Sequence, residues 1–341
     1  MPTAIGDNLV QFDPARRRRP GRRSASSYGV PRGADLGAVL ESWRLSLEAS
    51  AKSPRTVRGY TDTAVRFLTY LADNGLPTDA EGVQAEHVRA FLVFERHRTS
   101  AVSADVAFRC LRVWFNWMRE EGERTQPSPV LKADRPQTTR KVRRFLSDDD
   151  IRALLKVCSG NDFEARRDTA IVRIFADNGA RVSGLAGVRY TPRDERTNDV
   201  DLRGRRLRIR LKGGDEHWIP LGAKAAQALD RYLRARSAHP KAHSSPWLWL
   251  GIQGRGTEHM TSSGMYQMLK RRGEEAGVEN VHPHRFRGTA AHNLLKAGAS
   301  DGDVQHILGW KTRDMVDHYT GDLAQERARE THARLSPGDR I

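Results

Sequence analysis

The stretch HPHRFRGT at residues 282–289 decides how this chain is read, together with LGW at 308–310 and the tyrosine at 319. His284 and Arg287 stand three apart, a spacing that brings both to one face of a helix. Ser300 and Asp303 form a capping box that opens a further helix carrying Val304, Ile307 and Leu308. That helix runs into the turn Leu308-Gly-Trp310, and Tyr319 follows Trp310 by nine residues. Taken one at a time, these residues have ordinary uses. A histidine is commonly a satisfied structural group and a tryptophan commonly core. Tyr319, near Met315 and Val316, has the spacing of a packing residue.

Upstream, Asn178-Gly-Ala-Arg181-Val-Ser-Gly-Leu185 reads as a helix ending at a glycine, then an arginine, then a new helix. This sets Arg181 at a junction between rigid supports, although an arginine there could simply cap a helix C-terminus. Residues 206–212 alternate strictly. Leu207, Ile209 and Leu211 lie on one side and Arg206, Arg208, Arg210 and Lys212 on the other, which predicts a half-buried strand. Gly213-Gly214 turns it and residues 218–221 pair back, so Lys212 sits in a hairpin. A lone lysine would belong to the solvated face of such a strand. Ser147 with Asp150 caps the first helix of this region, and another helix is predicted over about residues 163–178.

Nearer the N-terminus the pattern is helical throughout. Leu36, Val39, Leu40, Trp43 and Leu47 follow one helical face, and Val57, Tyr60, Ala64, Phe67, Leu68 and Leu71 another, after the helix start Ser53-Pro54. Third and fourth helices are predicted over residues 88–97 and 102–120, the latter with Phe108, Leu111, Phe115 and Met118 on one face. Residues 122–144 break the pattern with Pro127, Pro129 and Pro136 and carry seven basic residues against two acidic ones. Residues 1–33 hold seven arginines against two aspartates among Pro, Gly and Ser, which reads as a disordered basic tail.

The chain of 341 residues has room for two domains, and 38% hydrophobic residues suffice for real cores. No apolar run approaches the roughly 20 residues of a spanning helix. Met1 to Val10 lacks the features of a secretory signal. Cys110 and Cys158 stand far apart without partners at metal-ligand spacing, so they read as small buried hydrophobes in a reduced, cytoplasmic protein. Lys and Arg number 58 against 42 Asp and Glu, a net charge of +16 that attracts polyanions, DNA above all.

Breaking a phosphodiester without a metal needs a nucleophile, cations for the non-bridging oxygens, an acid for the leaving oxygen, and a base or positioning group. The segments above hold candidates for these parts, and they resemble the tyrosine recombinase family, also called the phage integrase family. That family's pattern is an arginine before a Ser-x-Leu helix, a lysine in a β-hairpin, and a His-x-x-Arg helix. A Leu-Gly-His/Trp turn follows, with a tyrosine nine residues on. All of these stand here in that order.

The resemblance implies a mainly α fold with a small antiparallel β-sheet. Its expected layout is the basic tail at 1–33, a helical core-binding (SAM-like) DNA-clamp domain at 34–121, a basic linker at 122–145, the catalytic domain at 146–321, and a C-terminal tail at 322–341 that could dock on a neighbouring protomer. It implies that Arg181 and Arg287 grip the scissile phosphate and Lys212 protonates the leaving 5′ oxygen. His284 would assist proton transfer, Trp310 would donate its indole N–H, and Tyr319 would attack to leave a 3′-phosphotyrosine. No cofactor is expected. The expected partners are double-stranded DNA and a homotetramer on two DNA sites, with room for an accessory DNA-bending protein or directionality factor. Gly184 stands where the family usually has Glu, Gly288 where His often follows the second arginine, and Trp310 where His is commoner. Tryptophan donates but cannot titrate, which excludes acid–base work there. A type IB topoisomerase shares this plan of residues, and a catalytically silent DNA-binding protein is the rival from another class.

Overall fold

In the computed structural model the described residues are 34–138, 144–210, 215–252, 259–310, 312, 315–316 and 324–340. The basic tail, Leu211 to Gly214 and Tyr319 lie outside them. The chain divides into two compact units, Met1–Lys141 and Val142–Ile341.

Among its described residues the first unit has four α-helices: α1 (Leu36–Ala49), α2 (Pro54–Asp73), α3 (Ala85–Arg98) and α4 (Ala101–Glu120). Each start is set locally. The Asp35 carboxylate accepts the Gly37 and Ala38 N–H groups, and Ser53 and Ser100 accept from Thr56 and Ser103, satisfying N–H groups that the first turn leaves open. The apolar stripes meet around Trp43, whose ring stacks on Tyr60 at 5.6 Å and on Trp114 at 5.5 Å.

Much of the stretch expected as a linker is fastened to this unit. Arg124 is buried, bonds the Ala80 and Pro127 carbonyls and lies over the Phe115 ring, while Val130 enters the core. Asp134 and Arg135 pair with Arg89 and Asp105 at 2.9 and 2.8 Å.

The second unit opens with α5 (Asp148–Val157) behind the Ser147–Asp150 capping box, followed by α6 (Phe163–Asn178) and the short α7 (Val182–Ala186). Next comes an antiparallel sheet, β1 (Val200–Asp201), β2 (Arg206–Arg210) and β3 (Glu216–Pro220), in that order. Leu207 pairs with Ile219 and Ile209 with His217 across β2 and β3. Helices α8 (Ala223–Ser237), α9 (Ser262–Glu275), α10 (Pro283–Lys296), α11 (Asp301–Leu308) and α12 (Ala324–Leu335) follow. The fold is thus mainly α with one small antiparallel sheet.

The inner face of the sheet behaves as its alternation requires, with Leu207, Ile209 and Ile219 buried in the main core. Its outer arginines do more than face solvent. Arg208 and Arg210 both pair with the fully buried Asp199, at 2.8 and 2.7 Å, and Asp199 also accepts the Arg189 N–H. Arg206 lies over the Trp218 ring at 4.6 Å. A second buried carboxylate, Asp168, is held by Arg167 and Arg272, each at 2.8 Å. Both cysteines are buried and unpaired with each other, and burial pushes each thiol up to about 12. No described helix is long and apolar enough to cross a membrane.

Candidate active site

The site forms around the C-terminus of α11. An α-helix leaves its last carbonyls without intrahelical partners, and the helix dipole makes that end attractive to cations. Here three successive carbonyls are taken by three separate parts of the chain. Ile307 O lies 3.4 Å from His217 Nε2, Leu308 O accepts from Arg287 Nη2 at 2.6 Å, and Gly309 O accepts from Arg181 Nη1 at 2.9 Å. Gly309 stops α11 in the left-handed region at φ 63°, and the Trp310 N–H closes the turn on Gln305 O.

Arg181 occupies the N-cap position of α7, at the α6–α7 junction. Asn178 shapes that junction. Its amide nitrogen donates to Pro220 O at 2.8 Å while its amide oxygen accepts the Ala180 N–H. Gly179 caps α6 at φ 58°, and a Cβ there would come within 2.9 Å of the Arg287 Cα, so only glycine lets α6 and α10 approach this closely.

Arg287 is buried. A buried guanidinium needs full compensation, and Nη1 donates to Gly179 O at 2.8 Å while Nη2 reaches Leu308 O. The ring of Trp310 lies beneath it at 5.1 Å. The first histidine of the motif, His282, is the N-cap of α10 and accepts the Arg285 N–H. Burial depresses its pKa, with help from Arg285, which keeps the ring in the neutral form that can accept. His284, one turn before Arg287, is exposed. Arg285 and Thr289 fasten the start of the unit to α10, through Arg144 O, Phe145 O and the Leu146 N–H.

Arg181, Ser183, His284, Arg287, Trp310 and Met315 line one cleft of about 340 Å³. The structure therefore brings together four of the six site residues expected from the sequence, although they are spread over 130 positions of chain. Lys212 and Tyr319 lie outside the described residues. At Gly184, where the family usually has glutamate, a Cβ would meet the Ile209 Cβ at 3.3 Å, a tight contact between α7 and β2. Asn178, Gly179 and His217 support the site without having been singled out as site residues. The first two carried a signal, a polar residue and glycine ending a helix, and His217 carried none. Among the described residues no group of three or more His, Cys, Asp or Glu is gathered as a metal site would need.

A helical unit with a small sheet and this grouping of residues is the arrangement that the resemblance to the tyrosine recombinases, a class of DNA strand-transfer enzymes, leads one to expect. The phage integrase family model matches residues 144–326, and the chain belongs to that family. It is 28% identical over 296 residues to tyrosine recombinase XerC of Oceanobacillus iheyensis, covering 86% of this chain and 93% of the relative. To tyrosine recombinase XerC of Pseudomonas aeruginosa it is 29% identical over 278 residues, covering 81% and 86%. Among solved structures it resembles the Tn1549 transposon integrase in complex with a circular intermediate DNA, with a TM-score of 0.67 and 17% identity over 87% of this chain and 99% of that one. A lambda integrase tetramer bound to a Holliday junction matches with a TM-score of 0.65 and 18% identity, over 85% and 78%. At these identities the structural likenesses speak for the fold.

Proposed function

We propose that this chain is a site-specific recombinase that cuts and reseals duplex DNA through a covalent bond to Tyr319. The reading rests on one observation above all: two arginines from separate elements converge with His284 and Trp310 on one cleft, both anchored at the end of α11. A guanidinium is permanently charged and has five N–H donors in a planar fork, so it can hold a carbonyl and a phosphate oxygen together. Arg181 and Arg287 thus neutralise the two non-bridging oxygens of the scissile phosphate as charge builds on them.

The Tyr319 hydroxyl oxygen attacks phosphorus as its proton passes to His284 or to a phosphate oxygen, and the bond to the 5′ oxygen breaks. Lys212 gives that oxygen its proton, and His284 assists proton transfer at the tyrosine or the phosphate. Trp310 donates its indole N–H and closes the floor of the site. The product is a 3′-phosphotyrosine and a free 5′ hydroxyl. A second 5′ hydroxyl reverses the step, so the bond energy is kept and no nucleotide cofactor is consumed. Exchange between two duplexes takes four such sites. The tetrameric assembly of the lambda integrase neighbour supports the same arrangement here, a homotetramer on two DNA sites.

The test is a covalent trap. Duplexes enriched by the protein from a random library supply the site, and a nick beside the scissile position lets the cleaved end diffuse away. Wild type should then remain on DNA in denaturing gels, and Tyr319→Phe should bind the same duplex without being trapped. Equal trapping by the Phe variant would remove Tyr319 as the nucleophile.

A further inference from the structure

We infer that His217 is a positioning residue for Arg181, acting across Gly309; this rests on the phosphate-gripping role proposed for Arg181. His217 sits on β3 opposite Ile209 and is partly buried. Its Nε2 lies 3.4 Å from Ile307 O, the first of the three α11 carbonyls, and since a carbonyl can only accept, the ring presents an N–H there. The same ring bears on the glycine whose carbonyl holds Arg181. A Cβ on Gly309 would lie 3.0 Å from His217 Cδ2, 3.3 Å from its Nε2 and 3.6 Å from Arg181 Nη1. His217 and Arg181 therefore flank one glycine and limit where its carbonyl can point.

The contacts close a ring. From β3, His217 reaches the end of α11; the next carbonyl but one, Gly309 O, receives Arg181; Arg181 starts α7 at the junction shaped by Asn178; and Asn178 returns to β3 at Pro220 O, 2.8 Å away. A closed ring of contacts holds its members more tightly than an open chain, because moving one requires breaking two. Opening it at His217 leaves Arg181 attached but free to shift with Gly309, and a reacting group misplaced by a fraction of an ångström costs rate rather than binding.

The experiment compares His217→Leu, which keeps bulk and loses the donor, with His217→Gln, whose amide N–H can reach where Nε2 reaches. Cleavage is measured in single turnover at saturating protein on the nicked duplex described above, with either the natural phosphate or a methylphosphonate at the scissile position. The methyl group replaces one charged non-bridging oxygen, so the charge that Arg181 neutralises is gone. The two stereoisomers are tested separately.

His217→Leu should cleave the phosphate about 5- to 10-fold more slowly than wild type, the rate equivalent of one lost hydrogen bond. His217→Gln should recover most of that loss. On the isomer that restores Arg181→Ala, His217→Leu should match wild type within about twofold. A merely structural defect would persist on both substrates. Wild-type cleavage of the phosphate by His217→Leu overturns the inference, and so does a deficit that survives on the isomer rescuing Arg181→Ala. If neither isomer rescues Arg181→Ala, the role proposed for Arg181 falls first and the inference falls with it.

Discussion

Arg181 and Arg287 hang on adjacent carbonyls of one helix end: Gly309 O takes Arg181 Nη1 at 2.9 Å, and Leu308 O takes Arg287 Nη2 at 2.6 Å. The ordinary use of an arginine, capping a helix C-terminus, and the proposed catalytic use are therefore one arrangement. The helix end sets the spacing of the two guanidiniums, so disturbing it should disturb catalysis before it disturbs DNA binding.

Gly309→Ala tests this directly. The residue sits at φ 63°, and a Cβ would press on His217 Cδ2 at 3.0 Å. Holding a non-glycine residue there costs about 1–3 kcal/mol, and relief of the clash moves the carbonyl that carries Arg181. Cleavage of the nicked duplex should fall about 10- to 100-fold, with gel-shift affinity little changed. Cleavage at the wild-type rate would show that this turn does not set the arginine.

The two arginines should differ in what they do for stability. Arg287 is buried and satisfies both Gly179 O and Leu308 O, whereas Arg181 is partly exposed and holds Gly309 O. Arg287→Ala strands two carbonyls at about 1–3 kcal/mol each, so it should lower the melting temperature clearly more than Arg181→Ala. Arg287→Lys should not restore stability, because one ammonium cannot reproduce the fork that spans both carbonyls. Equal melting of Arg181→Ala and Arg287→Ala would contradict the geometry.

Stability should fall on mild acidification. Burial depresses the pKa of His282, with Arg285 adding to the effect, and burial likewise depresses that of His239. The unfolded chain then binds protons before the folded one does. The stability these rings contribute is fully present above their unfolded value of about 6.5 and is lost as pH falls through the lower folded values. Protonation of His282 also removes the nitrogen that accepts the Arg285 N–H and caps α10. Melting followed from pH 7.5 to 5 should show the decline, and His282→Asn, which caps without titrating, should flatten part of it. A His282→Asn curve with the wild-type slope would exclude the cap as a contributor.

Asp168 is fully buried between Arg167 and Arg272, each at 2.8 Å. Asp168→Ala should cost about 3–5 kcal/mol, because it leaves the buried Arg167 short of its counter-charge. The paired change Asp168→Leu with Arg167→Met should cost much less. A double variant as unstable as the single one would mean that shape, not charge, sets the penalty.

Most of the secondary structure was legible because the forces that set it are local. The stripe from Leu36 to Leu47, the Ser147–Asp150 and Ser300–Asp303 capping boxes and the alternation from Arg206 to Arg210 each act within a turn or a pleat. The gathering of Arg181, His284, Arg287 and Trp310 could be expected only because their types and spacings together match one chemistry. What holds them there was not legible. Every residue has the same backbone carbonyl, so nothing in the letters marks Leu308 O and Gly309 O as partners of arginines 21 and 128 positions away. The same holds for Asp199, which takes Arg208 and Arg210 off the solvated face where alternation put them, and for Arg124, which binds a linker-like stretch to the first unit. Sequence by itself determined the helices, the hairpin and the chemical kinds of residue in the cleft. The tertiary structure decided which buried carboxylates and helix-end carbonyls hold the arginines, because those pairings depend on distances that only the folded chain creates.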